Sequence, residues 1–500
     1  HPKCGHVFRS HTRRHERAST FPHDMKPVAI IGAGITGLTA AFYLKRKGVP
    51  VTVYEAGARV GGVLRSVRKD GYLAEFGPNT ILETSPKIAQ LICDAGLQSR
   101  RLDPDPHAAK RYLVRRQRPI VMPSTPLDFL KTRLFSAGAK LAVAREPFVA
   151  PRRDGTEESI AEFVVRRLGR EFLDHAIDAL VAGIYAGDPE KLSVQQAFPK
   201  LDRLEKRYGS LIKGQIFGAR ERKKLGEVSK DSAPKFSFDE GLQVLPETLG
   251  AFLGNVVRLN SPVVKLERTA ESWTLDFREH YCEHRSEHSA VIYAGTAFNL
   301  AKLCIKSPTR VDLGPFSEIR HPPVASVVLG FRRKDVDHPL DGFGMLIPRV
   351  EGFKILGAIF SSSLFPNRAP AGHVTITSYV GGERHPELAS LSQEELCALV
   401  CKDLSILLGV KGQPTFKHCA FHPRAIPQYN VGYQRYRGLM SKIEDAAPGL
   451  FFAGHYRDGI SLGDSIVSGC NTADRVETFV DSSASEQFSK TCEPEIAAFL

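Results

Sequence analysis

The sequence predicts an α/β fold built around a Rossmann-like dinucleotide-binding domain, and three observations predict it. An apolar strand, Val28-Ala29-Ile30-Ile31, runs into Gly32, Gly34 and Gly37 in GxGxxG spacing. A helix over Leu38 to Lys47 then leads to a second strand, Val51-Thr52-Val53-Tyr54, which ends on Glu55. Far along the chain, Gly449-Leu450-Phe451-Phe452-Ala453-Gly454, Asp458-Gly459-Ile460-Ser461-Leu462-Gly463-Asp464 and Ser468-Gly469 read as a buried strand, a glycine-rich loop and a helix start. Five hundred residues exceed what one compact core organises, so two or more domains are expected.

Each glycine of the first motif has its own task. Gly32 permits the tight turn, Gly34 lets backbone approach a pyrophosphate, and Gly37 lets the helix pack close to the strand. The phosphates then meet a helix N-terminus, where free N–H groups and the macrodipole favour anions, and Glu55 is placed to accept from ribose hydroxyls. A lone GxGxxG is common in ordinary loops. Here strand, helix, second strand and acid follow in order, which makes dinucleotide binding a specific claim.

The continuation Arg59-Val60-Gly61-Gly62, with Arg65 and Ser66 beyond, resembles the ExxxRxGG extension of the flavin amine oxidase superfamily, in which a second glycine pair runs beside the flavin's phosphates. FAD is therefore expected rather than NAD. The same superfamily closes its FAD site with a segment like Gly449–Gly469, and Arg258-Leu259-Asn260-Ser261-Pro262-Val263 resembles the strand whose valine backbone contacts adenine. The resemblance implies a cofactor set of Gly32, Gly34, Ile35, Thr36, Gly37, Glu55, Ala56, Arg59, Gly61, Gly62, Val63, Leu64, Gly77, Pro78, Asn79, Val263, Gly454, Ile460, Ser461 and Leu462. With no cysteine where some amine oxidases tether the flavin, one non-covalent FAD per chain is expected.

Composition bounds the rest. Hydrophobic residues at 42% and charged residues at 25% are ordinary for a globular protein, which excludes a disordered chain. The net charge of +13 attracts anions, whether nucleic acid, phospholipid headgroups or a polycarboxylate substrate, and does not choose among them. Nine cysteines without a CxxC pair argue for free thiols in a reducing compartment rather than a disulfide framework. Cys397 and Cys401, one helical turn apart, read as core packing, and no metal site is predicted. No stretch approaches the roughly 18 to 20 apolar residues of a spanning helix, so any membrane contact is expected to be peripheral. In Leu127 to Val149, Phe129, Leu130, Leu134, Phe135, Leu141 and Phe148 alternate with Lys131, Arg133, Lys140 and Arg145. That pattern fits an interfacial helix pair and equally a core helix with a solvated basic face.

Residues 1–25 read as a disordered extension. Cys4, Phe8, His11 and His15 have too short a Cys-to-His spacing for a zinc finger, and the first cysteine pair is missing. The chain starts without methionine, which suits a fragment or an extension from gene-model error; the Arg-rich, acid-poor composition alternatively suits a transit peptide.

Other motifs go beyond a generic dinucleotide domain. Glu75-Phe76-Gly77-Pro78-Asn79-Thr80, Lys110-Arg111-Tyr112, Glu158-Ser159-Ile160, Leu180-Val181-Ala182-Gly183-Ile184-Tyr185-Ala186-Gly187-Asp188-Pro189, Leu192-Ser193 and Leu204 to Ser210 come first. Phe236-Ser237-Phe238, Gly241-Leu242-Gln243, Phe365-Pro366, Tyr379-Val380-Gly381-Gly382 and Ile426-Pro427-Gln428-Tyr429 complete the set. From residue 26 to about 480 the chain is similar to the oxygen-dependent protoporphyrinogen oxidase family.

That resemblance implies an FAD-dependent, six-electron oxidation of protoporphyrinogen IX to protoporphyrin IX in haem biosynthesis, with dioxygen as acceptor and hydrogen peroxide as product. Hydride abstraction falls to flavin N5, and no side chain is assigned a catalytic role. It implies that Arg111 pairs with a substrate propionate and that Asn79 lies near the macrocycle. Gly183 makes room beside a ring, and Leu346, Ile359 and Tyr379 sandwich the tetrapyrrole. Tyr379 stands where many relatives carry phenylalanine, so its hydroxyl needs a partner, and His455 stands where relatives often carry asparagine.

The implied architecture is an FAD-binding Rossmann-like domain from 26–101, 236–304 and 430–480, a helical membrane-facing domain from 105–212, and a mixed-sheet substrate domain from 213–235 and 305–429, with a polar, frayed tail at 481–500. Partners are the porphyrinogen and dioxygen, with an anionic membrane surface and a homodimer as further candidates and no specific nucleic acid. Localisation is expected to be cytoplasmic or peripheral at an inner membrane, bacterial or mitochondrial. Two alternatives stay open: a coproporphyrinogen III oxidase of the same family, and a flavin amine oxidase or desaturase.

Overall fold

The computed structural model describes residues 25–225, 233–308 and 311–496, with 219–225 and 483–496 as backbone only. The N-terminal extension and its Cys4–His15 cluster therefore lie outside the described residues. A five-stranded parallel sheet has the order Val257–Arg258, Val51–Tyr54, Val28–Ile31, Val291–Tyr293, Leu450–Phe452. Its strands are short and almost wholly apolar because both faces are covered, one by helices and the other by a four-stranded sheet over Val263–Lys306 together with helix Gln434–Ala446. The first helix spans Ile35–Arg46, starting three residues before the expected Leu38, and packs on the last helix, Leu462–Ile496. Gly469 makes that packing close, since a Cβ there would lie 2.5 Å from the Thr36 carbonyl oxygen; Gly37 lets the first helix sit against its own turn, where a Cβ would lie 2.0 Å from the Gly32 carbonyl oxygen.

A seven-stranded mixed sheet forms the second layer, in the order Phe416–His422, Val324–Arg332, His373–Gly381, Ile355–Ile359, Gly342–Leu346, Lys110–Arg115, Arg118–Val121. All its pairs are antiparallel except Gly342–Leu346 with Lys110–Arg115. One face carries Tyr112, Met345, Ile347, Ala358, Ile376 and Val380 into a core shared with helix Gln393–Leu408, where Cys397 packs. The other face meets helix Asp178–Tyr185.

The third region is a helical layer containing Pro126–Lys131, Ala137–Arg145, Ile160–Leu168, Asp178–Tyr185, Pro199–Tyr208 and Leu211–Leu225. Inside it Glu146 and Arg167, both without solvent exposure, pair at 2.5 Å. Glu146 also accepts from Ser210 Oγ at 2.6 Å and from the N–H groups of Leu211 at 2.7 Å and Ile212 at 3.1 Å, so it caps the start of the helix that follows.

The expected domain limits change in three places. Residues 110–121, assigned to the helical domain, are two strands of the mixed sheet. Residues 213–225, assigned to the substrate domain, continue the helical layer, and Lys235, the last residue of that assignment, already belongs to strand Lys235–Phe238, which pairs with Ile81–Leu82 and Arg101–Leu102. The last helix runs to Ile496 through the segment expected to fray after Asp481. Among the described residues no helix is long and apolar enough to cross a membrane.

Candidate active site

Three distant segments converge at the C-terminal ends of the parallel strands. Helix Ile35–Arg46 starts at Gly34 with no side-chain cap, and its first intrahelical bond is Leu38 N–H to the Gly34 carbonyl. The N–H groups of Ile35, Thr36 and Gly37 precede that bond and are left to a ligand. Gly34 has φ −71° and ψ 175°, backbone open to any residue, and a Cβ there would touch nothing within 4 Å. The chain itself has no use for a glycine at this position, so the space in front of it is reserved. Gly62 faces the same space, its missing Cβ 3.5 Å from the Gly34 Cα.

Glu55 ends its strand with Oε2 accepting from Ala33 N–H at 2.8 Å and Oε1 from Gly57 N–H at 2.7 Å, beside the exposed Ala56. Each carboxylate oxygen keeps a lone pair for a ribose hydroxyl. Ser261 N–H donates to the Glu55 carbonyl at 2.7 Å, which brings the segment leading to Val263 alongside. Thr36 Oγ1 donates to the Ser465 carbonyl at 3.0 Å, Gly454 N–H donates to Ser468 Oγ at 2.9 Å, and Ser461 caps the helix that Leu462 begins. The donor set and the open cradle fit the two phosphates and ribose of a dinucleotide. The Arg59 guanidinium donates to the carbonyls of Val60 at 2.9 Å, Leu64 at 3.1 Å and Gly62 at 2.5 Å, folding the loop of Gly61, Gly62, exposed Val63 and buried Leu64.

The predicted substrate residues gather on the mixed sheet. Register places Leu346, Gly357 and Tyr379 in one row and Arg111, Gly344, Ile359 and Thr377 in the next. The Arg111 guanidinium is exposed and pairs with no carboxylate among the described residues. Its neighbours are taken: Lys110 pairs with Asp341 at 2.5 Å and Arg115 with Glu171 at 3.2 Å. Gly183 serves a different neighbour than expected. A Cβ there would lie 2.5 Å from Leu346 Cδ2, so the room it leaves is filled by a leucine methyl. A cavity of about 490 Å³ lies beside this region, walled by Tyr185, Gln196, Tyr429, Arg437, Arg457, Asp458 and Ile460, and shares none of the predicted substrate residues.

The turn Gly77-Pro78-Asn79 bridges cradle and sheet. Tyr379 Oη donates to the Gly77 carbonyl at 2.9 Å, Asn79 Nδ2 donates to Tyr379 Oη at 2.8 Å, and Ser361 Oγ donates to Asn79 Oδ1 at 3.3 Å. The Tyr379 hydroxyl thus has its partners, and burial pushes its proton affinity well up. Before the turn sits Glu75, a buried carboxyl that accepts from Ser66 Oγ at 2.7 Å and Leu242 N–H at 2.9 Å. Burial pushes it up to about 7, against the opposing pull of those two donors and Arg368. His455 is pushed down to about 4 by burial, with His321 adding to it. Sequence reasoning missed Ser361, Thr377 and His422, whose Nε2 lies 2.8 Å from the Phe76 carbonyl, and it placed Glu75 in a family motif without giving it a role. Glu75 alone had a signal, an acid inside the apolar strand Tyr72–Glu75.

Residues 35–477 match the sequence profile of the flavin containing amine oxidoreductases. The chain belongs to that family. Within it, the protoporphyrinogen oxidase 2 of Arabidopsis thaliana (chloroplastic/mitochondrial) is 37% identical over 92% of this chain and 96% of its own length. The mitochondrial protoporphyrinogen oxidase of Nicotiana tabacum is 37% identical over 91% of this chain and 96% of its own. The coproporphyrinogen III oxidase of Bacillus subtilis (strain 168) is 29% identical over 89% and 96%. Among solved structures, a candidate protoporphyrinogen oxidase from Exiguobacterium superposes with a TM-score of 0.76 at 23% identity, covering 91% of this chain and 99% of that one, a likeness of fold. The chain is a flavin-containing oxidoreductase and a protoporphyrinogen oxidase homologue, and its family implies FAD.

Proposed function

We propose that the chain oxidises protoporphyrinogen IX to protoporphyrin IX with one non-covalent FAD and dioxygen. Six electrons and six protons leave the substrate while three dioxygen molecules become three of hydrogen peroxide. Bound FAD supplies a hydride acceptor that dioxygen regenerates. The chain supplies position and dryness. The free N–H groups after Gly34 and the Glu55 carboxylate hold the cofactor's phosphates and ribose. Leu346, Ile359 and Tyr379 offer an apolar face to the macrocycle, once the Leu346 methyl above Gly183 turns aside. Arg111 takes a propionate through a charge-assisted bond.

The observation that carries this reading is the unpaired Arg111 in the same sheet row as Ile359, on the face whose Tyr379 is tied to the Gly77 turn. The alternative, coproporphyrinogen III, has four carboxylates, and the B. subtilis relative favours it. Available cations weigh against it: Lys110 and Arg115 are consumed, and Arg116 and Arg118 sit at the far end of the hairpin. At about 3.3 Å per residue that end is some 15 Å from Arg111. Porphyrin fluorescence after mixing the yellow protein with each porphyrinogen in air tests the reading. Protoporphyrinogen IX is expected to react faster, and Arg111→Ala to lose about 10- to 100-fold in kcat/KM, mostly through KM. Faster turnover of the tetracarboxylate, or indifference to Arg111→Ala, overturns it.

Peripheral attachment to an inner membrane is proposed on the exposed side chains of Leu127, Leu130, Leu141 and Phe148, the last 86% accessible, on a basic helix pair whose Leu134 and Phe135 are buried. Sedimentation with anionic liposomes at low salt is expected, and its absence refutes the proposal.

A further inference from the structure

We infer that Tyr379 is a positioning residue whose hydroxyl fixes the Gly77–Asn79 turn against the strand that carries the substrate face. The inference rests on the proposed reading of that face and names a group in it on which the rate depends.

The geometry is specific. Tyr379 lies in strand His373–Gly381, opposite Gly357 and one strand further from Leu346, so no side chain stands between its ring and Leu346. The ring packs with Ala182, Ala186, Val324 and Leu356, which sets its direction. A phenol has one proton, and here it goes to the Gly77 carbonyl at 2.9 Å. The lone pairs of Oη then face Asn79, which has to present its NH2, at 2.8 Å. That choice leaves Oδ1 of Asn79 to accept from Ser361 Oγ at 3.3 Å, and Ser361 in turn shares a hydrogen bond with Thr377 Oγ1 at 2.8 Å. The result is a one-way chain of donors, Ser361 to Asn79 to Tyr379 to Gly77, joining residues some 300 apart in sequence. Asn79, Ser361 and Thr377 are all buried, where polarised hydrogen bonds are strong and an unmade one is costly.

Without the hydroxyl, Gly77 loses its tie to the strand, and the turn keeps across to the mixed sheet only the long Ser361 Oγ bond to Asn79 Oδ1 at 3.3 Å. Asn79 Nδ2 reaches the Gly77 carbonyl at 3.3 Å, but that bond is internal to the turn. The His422 contact holds Phe76, one residue earlier. Gly77 would be free to move relative to Leu346 and Ile359, with Asn79 held only through Ser361. Transfer between a cofactor on one side of the turn and a substrate on the other is sensitive to such displacement, about 100-fold for 1 Å. Apolar stacking, which a phenylalanine ring retains, sets affinity. Tyr379 thus acts on rate rather than on binding.

Tyr379→Phe is the test, with the flavin followed at its visible band during anaerobic stopped-flow mixing with protoporphyrinogen IX. The expected result is bleaching slowed about 10- to 100-fold at a KM within about threefold of the parent, with reoxidation by dioxygen unchanged. Asn79→Ala combined with Tyr379→Phe is expected to be no slower than the slower single variant, since both cut one chain. Loss through KM alone, or an unchanged bleaching rate, overturns the inference. Should the Tyr379→Phe protein fail to retain FAD, Ser361→Ala cuts the chain one link away and must slow bleaching at constant KM. If neither porphyrinogen bleaches the parent protein, the substrate reading has failed. Amide exchange over residues 76–80 then decides the tie itself, expected at least about tenfold faster in Tyr379→Phe and unchanged if the tie carries nothing.

Discussion

Replacing Glu75 by glutamine should stabilise the protein in alkaline solution and leave it nearly unchanged in acid. The carboxyl is buried at the end of strand Tyr72–Glu75, with Ser66 Oγ and Leu242 N–H as its hydrogen-bond donors. The charged and titratable groups facing it are Arg368, which donates to Ser237 Oγ and the Phe238 carbonyl rather than to Glu75, and the neutral Tyr379. No cation bonds the ionised form, so burial raises the carboxyl from 4.5 to about 7. Between those two values the unfolded chain has released a proton that the folded protein still holds, so stability falls as pH rises through the window. At about 1.4 kcal/mol per pH unit, the loss approaches about 3 kcal/mol and is complete above pH 7. Glutamine has nothing to ionise, and its amide still accepts from Leu242 N–H. Urea unfolding of parent and Glu75→Gln proteins from pH 4.5 to 8.5 measures this, because taking the difference between the two cancels other titrations, such as that of His455. The difference should grow by roughly 2 to 3 kcal/mol in favour of the variant, mostly below pH 7.5. A difference flat within about 0.5 kcal/mol would mean that water or Arg368 reaches the carboxyl and that burial does not govern it.

Gly34→Val should yield a folded protein without FAD, because the position has ordinary backbone angles and open space ahead of it. Unchanged circular dichroism with a colourless preparation supports the cradle; a yellow one refutes it. Arg167→Met should cost about 3 kcal/mol in urea unfolding, the low end for a broken buried pair, since Ser210, Leu211 and Ile212 still donate to Glu146. Adding Glu146→Gln should recover part of that loss, and a cost below about 1 kcal/mol would show that the pair is hydrated.

The parallel-sheet domain was legible in the sequence because its chemistry is local. Gly32, Gly34, Gly37 and Glu55 fall within one strand–helix–strand unit, and each residue type is dictated by backbone geometry that a reader can reconstruct from spacing alone. The mixed sheet was less legible. Lys110–Arg115 pairs in parallel with Gly342–Leu346, a partner more than two hundred residues away, and no local pattern separates that strand from the helical segment it precedes. The polar groups around the Gly77 turn were illegible for the same reason. Ser361 in a short helix and Thr377 and His422 in strands are ordinary residues until the fold brings them to Asn79 and Phe76.

The charge of the chain shows how the two kinds of information combine. A net +13 drew attention to anionic partners, yet the excess is not concentrated where the substrate carboxylates would bind. Of the basic run from Lys110 to Arg118, Lys110 is held by Asp341 and Arg115 by Glu171. What matters at the site is the pairing state of single cations, which composition cannot report and a fold can. Arg111 stands out because its neighbours are neutralised, and a substrate with two propionates asks for few such cations. On the proposed membrane reading, some of the remaining charge has a different use, since Lys131, Arg133 and Arg145 are interspersed along the chain with the exposed Leu127, Leu130 and Phe148. On the proposed reading, selectivity follows from which carboxylates the fold sets beside its arginines.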